Sequence, residues 1–177
     1  MATVVARCGT ADPNFYSIAS VPGSPRAGGP KVVYIRQVSV ARYLDRQQIV
    51  RSSENFRLAV SANDWWGEGL QSMLTRVLVE ELSQRLRGSA IYGAGGAFAP
   101  SSSVTIALNI LRLDEDASGR VALLAQAAVL MERKGTMTRD FDLSAPVSGP
   151  DTTAFVSAVS ILIGQVADGL ADMLRHA

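Results

Sequence analysis

Apolar residues recur along the chain with two different periods, and the change of period marks out its elements. Residues 31–40 hold Val32, Val33, Tyr34, Ile35, Val38 and Val40, the β-branched and aromatic types that strands favour. Residues 55–61 set Phe56, Leu58 and Val60 against Arg57 and Ala59, the period-two signature of a strand buried on one face. Residues 104–110 alternate in the same way, and residues 120–132 are apolar on both faces, as a central strand requires. Met137, Arg139, Phe141 and Leu143 then oppose Thr138, Asp140 and Asp142. An acidic turn at 114–119 and a Lys134-Gly135 turn join these runs, so residues 103–143 predict a three-stranded antiparallel meander. Shorter strands are expected at 15–18, at 90–92 and, after a turn, within 43–50, while three prolines and three glycines make 21–30 a loop.

Elsewhere the period lengthens to three and four. Trp66, Leu70, Met73, Leu74, Val77, Leu78, Leu82 and Leu86 form one helical stripe, expected to pack on a sheet. Asn63 or Asp64 is placed to cap that helix, Glu68 to put negative charge in its first turn, and Gly88 to end it. Trp65 falls off the stripe and is the better candidate for an exposed aromatic contact. A second stripe, Phe155, Val159, Leu162, Ile163, Val166, Leu170, Met173 and Leu174, follows a cap at Asp151 or a neighbouring threonine. Gly164 and Gly169 interrupt it at about 1 kcal/mol each relative to alanine, which predicts close packing there. The pattern reads as an α/β chain, or in the alternative α+β: one mixed, largely antiparallel sheet of about five to six strands packed by two long amphipathic helices. Residues 1–13 read as a tail and 14–177 as a single domain.

Composition narrows the function. With 177 residues and 47% hydrophobic content, one substantial core is available. A net charge of +1, from 17 basic and 16 acidic residues scattered along the chain, leaves no basic stripe for nucleic acid. No run approaches the ~20 continuous apolar residues of a spanning helix; Gln165, Asp168 and Asp172 cut the most apolar part of the last one.

Catalytic chemistry finds little support. The single histidine, His176, stands next to the last residue, and neither a Gly-x-Ser-x-Gly elbow nor a zinc-binding helix motif is present. Glu80-Glu81 point in different directions on a helix, and Asp114, Glu115 and Asp116 read as a solvated turn tip. The glycines of 93–97 lead into no helix that could cradle a phosphate. No cofactor or metal site is expected, and the chain is not expected to be an enzyme.

One cysteine excludes an internal disulfide. Its surroundings, Val5-Ala6-Arg7-Cys8-Gly9, partly match the junction at which a bacterial lipoprotein signal is cleaved: Val5 and Ala6 suit it, whereas Arg7 stands where a small residue belongs. Met1 to Arg7 are too short to form a secretory signal of their own. Cys8 is therefore a candidate acylation site or a free thiol in a loose tail.

The run Tyr43-Leu44-Asp45-Arg46-Gln47-Gln48-Ile49-Val50, Trp65 with Leu70 close behind it, and the Leu-rich turns from Val77 to Leu86 resemble the PqiC-like family of ABC-type transport auxiliary lipoproteins. The resemblance extends over most of the chain in element order. It implies a non-catalytic periplasmic lipoprotein, tethered through Cys8 to the outer membrane of a Gram-negative bacterium. Its implied partner is the MCE-domain periplasmic protein of an ABC-type lipid transporter, with phospholipid or a similar apolar molecule as cargo. Tyr43, Leu44, Asp45, Arg46, Gln48, Ile49 and Trp65 carry over as the signature surface for that partner. Within it, Asp45 is expected to bond nearby backbone N–H groups and fix the turn, with a partner contact through Arg46 as the other reading. A second copy of the chain is a further candidate partner. A soluble periplasmic carrier of lipid or another small apolar ligand is the alternative function and would show as an enclosed apolar cavity between helix and sheet. A small hydrolase ranks behind it and would show as a cleft holding a carboxylate of shifted pKa.

Overall fold

The meander forms as its alternation requires. In the computed structural model, which describes residues 12–97, 101–102, 104–132 and 134–176, β6 (Val104–Glu115), β7 (Arg120–Met131) and β8 (Gly135–Pro146) run antiparallel with nearly full-length ladders. β6 is the hub. Along its first half it pairs in parallel with β2 (Val32–Val40), which carries β5 (Ala90–Gly93) on its far side. At its other end Glu115 lies opposite Ser52 of β3 (Gln48–Ser52). β3 continues through antiparallel β4 (Ala59–Trp66) to β1 (Asn14–Tyr16), parallel at the edge. The sheet is mixed and open, with eight strands where five or six are expected, since the short runs at β1 and β5 also join it.

Both helices lie on one face. α1 (Leu70–Arg85) packs on β2 and β5, and α2 (Thr152–Arg175) on β7 and β8, side by side. All seven α1 stripe residues from Leu70 to Leu86 and all eight α2 stripe residues are buried, meeting Val33, Ile35, Ile106, Leu123 and Val129 from the sheet. Asp151 caps α2, accepting a 2.7 Å bond from the Ala154 N–H. By length and mean hydropathy, 1.7, α2 could cross a membrane, but 72% of that apolar window is buried inside the fold, which makes it the core helix. Its two glycines mark close approaches. A Cβ on Gly169 would come within 2.5 Å of the Phe141 ring on β8, and one on Gly164 within 3.2 Å of Val21.

Three expectations fail. β4 runs through Asp64 to Trp66, so α1 begins only at Leu70, after Gly69 and without a side-chain cap. Pairing of Trp65 with Gln48 and Phe15 on either side holds this stretch extended, and tertiary context overrides the capping signal. Glu68 consequently precedes the helix and pairs with Arg76 at 2.7 Å. Residues 55–58 are not a half-buried strand. Glu54–Phe56 forms a single 3₁₀ turn with positive φ at Asn55 and Phe56 (54° and 61°), and Phe56 and Leu58 are exposed. β6 also extends five residues beyond the predicted 104–110, because a bulge between Ile110 and Arg112 lets the ladder continue. Asp114 is thus a buried strand residue and not a solvated turn.

Residues 17–31, the proline- and glycine-rich loop, form a strap over the seam between the helices. Its Ala19 N–H donates to Ser160 Oγ of α2 and its Val21 N–H to Glu81 Oε1 of α1, at 3.1 and 2.8 Å. The Arg26 guanidinium donates to both the carbonyl and the carboxylate of Asp168, and the Arg26 backbone N–H donates to the Arg85 carbonyl. The Arg175 guanidinium returns a bond to the Ala27 carbonyl.

Candidate functional site

The signature run divides into an anchored half and an exposed half. After β2, the Ala41 N–H donates to the Ile110 carbonyl, and bonds from Leu44 N–H to Ala41 O and from Arg46 N–H to Leu44 O close a tight turn. Leu44 and Ile49 drop into the core. Tyr43 is half-buried, and its hydroxyl donates to Asp114 Oδ2 at 2.6 Å. The same oxygen accepts from Ser53 at 2.7 Å, while Arg112 donates to Asp114 Oδ1 at 2.8 Å and to Glu54 at 2.7 Å. Asp114 has no solvent exposure, so these three donors replace its lost hydration. Burial, then the bond to Asp114 and its charge, push the Tyr43 hydroxyl far above its ordinary pKa. The Tyr43 ring therefore ties the turn to the helix-free face of β6. Tyr43→Phe is expected to lower stability by about 2 kcal/mol, read from urea unfolding, since it removes a hydrogen bond to a buried charge.

Asp45 and Arg46 remain in solvent. The Asp45 carboxylate makes no hydrogen bond among the described residues; backbone bonds and Tyr43 fix the turn in place of the side-chain bonds expected of it. Beside them, the Trp66 N–H donates to the Gln47 carbonyl at 2.7 Å, and half-buried Gln48 lies opposite Trp65. Trp65 is half-buried and meets the exposed Phe15 ring edge-on at 6.3 Å. Asp45 and Arg46 in the turn, and the Trp65–Phe15 pair on the strands that follow it in the sheet, are thus each accessible on a braced base. Behind it, the Asp64 carboxylate accepts from Thr152, Asn14 and Ser61, which ties β1 and β4 to the start of α2. Those bonds, from Thr152 and then Asn14, hold Asp64 below the usual carboxylate range. Cys8, the candidate lipid-attachment residue, lies outside the described residues.

A second polar centre escaped sequence reasoning. Glu81 and Arg85 of α1 are both buried beneath the strap. Arg85 donates to Asp168 at 3.0 Å and to the carbonyls of Val21, Glu81 and Gly164. Glu81 accepts from the Val21 N–H through one oxygen, while the other has no partner. Desolvation raises its pKa to about 7, against the lowering effects of the Val21 N–H and of Arg85. A legible signal existed: an acid and a base four apart, flanking Leu78 and Leu82 on the buried stripe.

The Asp114 carboxylate is engaged by three donors, and Glu81 is buried beneath the strap. An open depression of about 530 Å³ lies on the helix-free face and is lined by Gln37, Ser39, Asn109, Gln126, Thr138 and Asp140. Ala107, Leu108, Ala127 and Ala128 complete a lining of mixed polarity, and a second open depression lies between α1 and β5, lined by Thr75, Val79 and Gly93 among others.

The model of the ABC-type transport auxiliary lipoprotein components matches residues 16–171, nearly the whole described domain. The chain belongs to that family. No curated protein matches this auxiliary component by sequence. Two crystal structures share its fold. One, an uncharacterized protein, is 16% identical with a TM-score of 0.78, covering 92% of this chain and 99% of its own. The other, a Xanthomonas campestris protein of family DUF330, is 21% identical with a TM-score of 0.72, covering 89% and 92%. The matched family consists of transport auxiliary components and is not known as an enzyme family.

Proposed function

We propose that this auxiliary component is a docking subunit, anchored through acylated Cys8 at the periplasmic face of the outer membrane. Its partner there is the MCE-domain protein of an ABC-type lipid transporter, with phospholipid as cargo. The observation that carries the reading is the division of the signature run: Tyr43, Leu44 and Ile49 brace the fold, which leaves Asp45 and Arg46 exposed a few residues before Gln48, the residue opposite Trp65 of the Trp65–Phe15 pair. Tryptophan and arginine are the residue types enriched in interface hot spots.

Co-purification with the MCE-domain protein is expected to survive removal of residues 1–11. Trp65→Ala and Arg46→Ala should each weaken binding at least tenfold, because truncating a hot-spot residue costs more than about 1.4 kcal/mol. Recovery of no MCE-domain partner by the unaltered chain would refute the docking role. Acylation is read separately, from the mass of the peptide that contains Cys8.

A further inference from the structure

Phe56 stands alone in this fold. It is the most exposed large apolar residue described, at 108% of its reference area, and it stands at the tip of the connection between β3 and β4 with Leu58 also in solvent. Its backbone is left-handed, as is that of Asn55, a conformation that a bulky side chain rarely adopts unless its surroundings impose it. The surroundings here do impose it. Ser52 Oγ accepts from the Glu54 N–H, the Arg57 N–H donates to the Glu54 carbonyl, the Glu54 carboxylate is held by Arg112, and Ser53 is bonded to buried Asp114. The base of the tip is fixed, and the phenyl ring is held away from the core.

Charge at this end is also sorted. Glu54 is taken up by Arg112 and Glu115 by Arg51, whereas Arg57, between the two apolar residues, has no ion-pair partner among the described residues. Asp116 in the neighbouring β6–β7 turn is turned inward onto Ser118 and the Arg120 N–H.

The direction of the chain supplies the remaining argument. β1 is parallel to β4, with Asn14 opposite Asp64, so the polypeptide enters β1 from the end of the sheet at which β4 begins, next to Leu58. Asn14 is six positions beyond Cys8, and Asp64 six beyond Leu58. Position 8 is therefore at most about 20 Å of extended chain from the entry to β1, and β1 runs in the same direction as β4, whose first residues follow the Phe56 tip.

We infer that the Phe56–Leu58 tip is a membrane-contact point, with Phe56 and Leu58 entering the interfacial layer of an anionic phospholipid bilayer and Arg57 meeting headgroup phosphate. Apolar side chains flanking an unpaired cation suit that layer, which offers hydrocarbon and anionic oxygen within a few ångströms. The inference rests on the proposed anchoring for its geometry, and its test supplies a tether that does not depend on acylation.

The 177-residue chain carrying Cys8→Ser and an N-terminal hexahistidine is bound to nickel-chelating lipid in phosphatidylethanolamine–phosphatidylglycerol vesicles, with and without brominated acyl chains. With Phe56→Trp added, indole emission in the brominated vesicles is expected to fall by a third or more beyond the fall seen with Phe56 in place, and Arg57→Glu should remove most of the difference. Equal quenching with and without Phe56→Trp would overturn the inference and would leave the tip in water or reserve it for a protein pocket. Because acylation is absent throughout, that result is independent of whether native Cys8 carries lipid.

Discussion

Arg85→Ala is expected to lower the free energy of unfolding by about 3–5 kcal/mol, the scale for removing one member of a buried charged network. The guanidinium is 1% exposed and satisfies Asp168 together with three carbonyls drawn from the strap, α1 and α2. Alanine would strand those acceptors and leave a cavity at the place where Gly23 of the strap presses on the Arg85 side chain. Arg76→Ala provides the contrast. Its pair with Glu68 is shorter, 2.7 Å against 3.0 Å, but half exposed, so its loss should cost less than about 1 kcal/mol. Urea unfolding of the two variants measures both, and near-equal losses would show that burial does not set the difference.

The second large effect is a dependence on pH. Burial raises Glu81 from 4.5 to about 7, so between those values the folded protein holds a proton that the unfolded chain releases. Stability from this group is therefore complete below about pH 4.5 and is lost as pH rises through about 7. The shift corresponds to roughly 3 kcal/mol at about 1.4 kcal/mol per pKa unit. Glu81→Gln keeps the size and an acceptor for the Val21 N–H, and removes the titration. The difference in unfolding free energy between Glu81→Gln and the unaltered chain should favour the glutamine increasingly from pH 5 to pH 8. A difference that stays flat over that range would mean that Glu81 remains ionised in the folded protein.

Much of this architecture could be read from periodicity. The meander, the two stripes and the N-cap of α2 are local patterns; the stripes bury the faces their spacing marks, whereas β7, apolar on both faces, buries only the one that meets the helices. The close packing expected at Gly164 and Gly169 is present, against Val21 and the Phe141 ring. What failed was set at a distance. Asp64 looks like a cap, but Asn14 and Thr152, 50 and 88 residues away, take its carboxylate. Phe56 alternates correctly for a strand, yet the bonds of its turn to Arg112 and Asp114 throw it outward. Asp114 sits in an acidic run that reads as solvated, and its burial depends on Tyr43, 71 residues earlier. Of the signature surface, the sequence distinguished Trp65 from the core stripe but gave no means of separating the bracing residues Leu44 and Ile49 from the displayed Asp45 and Arg46.

Residues 17–31 can reach their place only after the end of the chain has reached its own. Arg26 bonds Asp168 and Ala19 bonds Ser160 across intervals of 142 and 141 residues, so in a nascent polypeptide this segment can meet Glu81 and Arg85 of α1 but cannot close fully until α2 is made. Contacts of such separation slow folding, and during the wait the apolar sides of β2, β6 and β7 stand open to aggregation. A ribosome that stalls within the 24 residues of α2, Thr152–Arg175, would release a product unable to complete its core, and such truncations should be recovered as degraded or insoluble material.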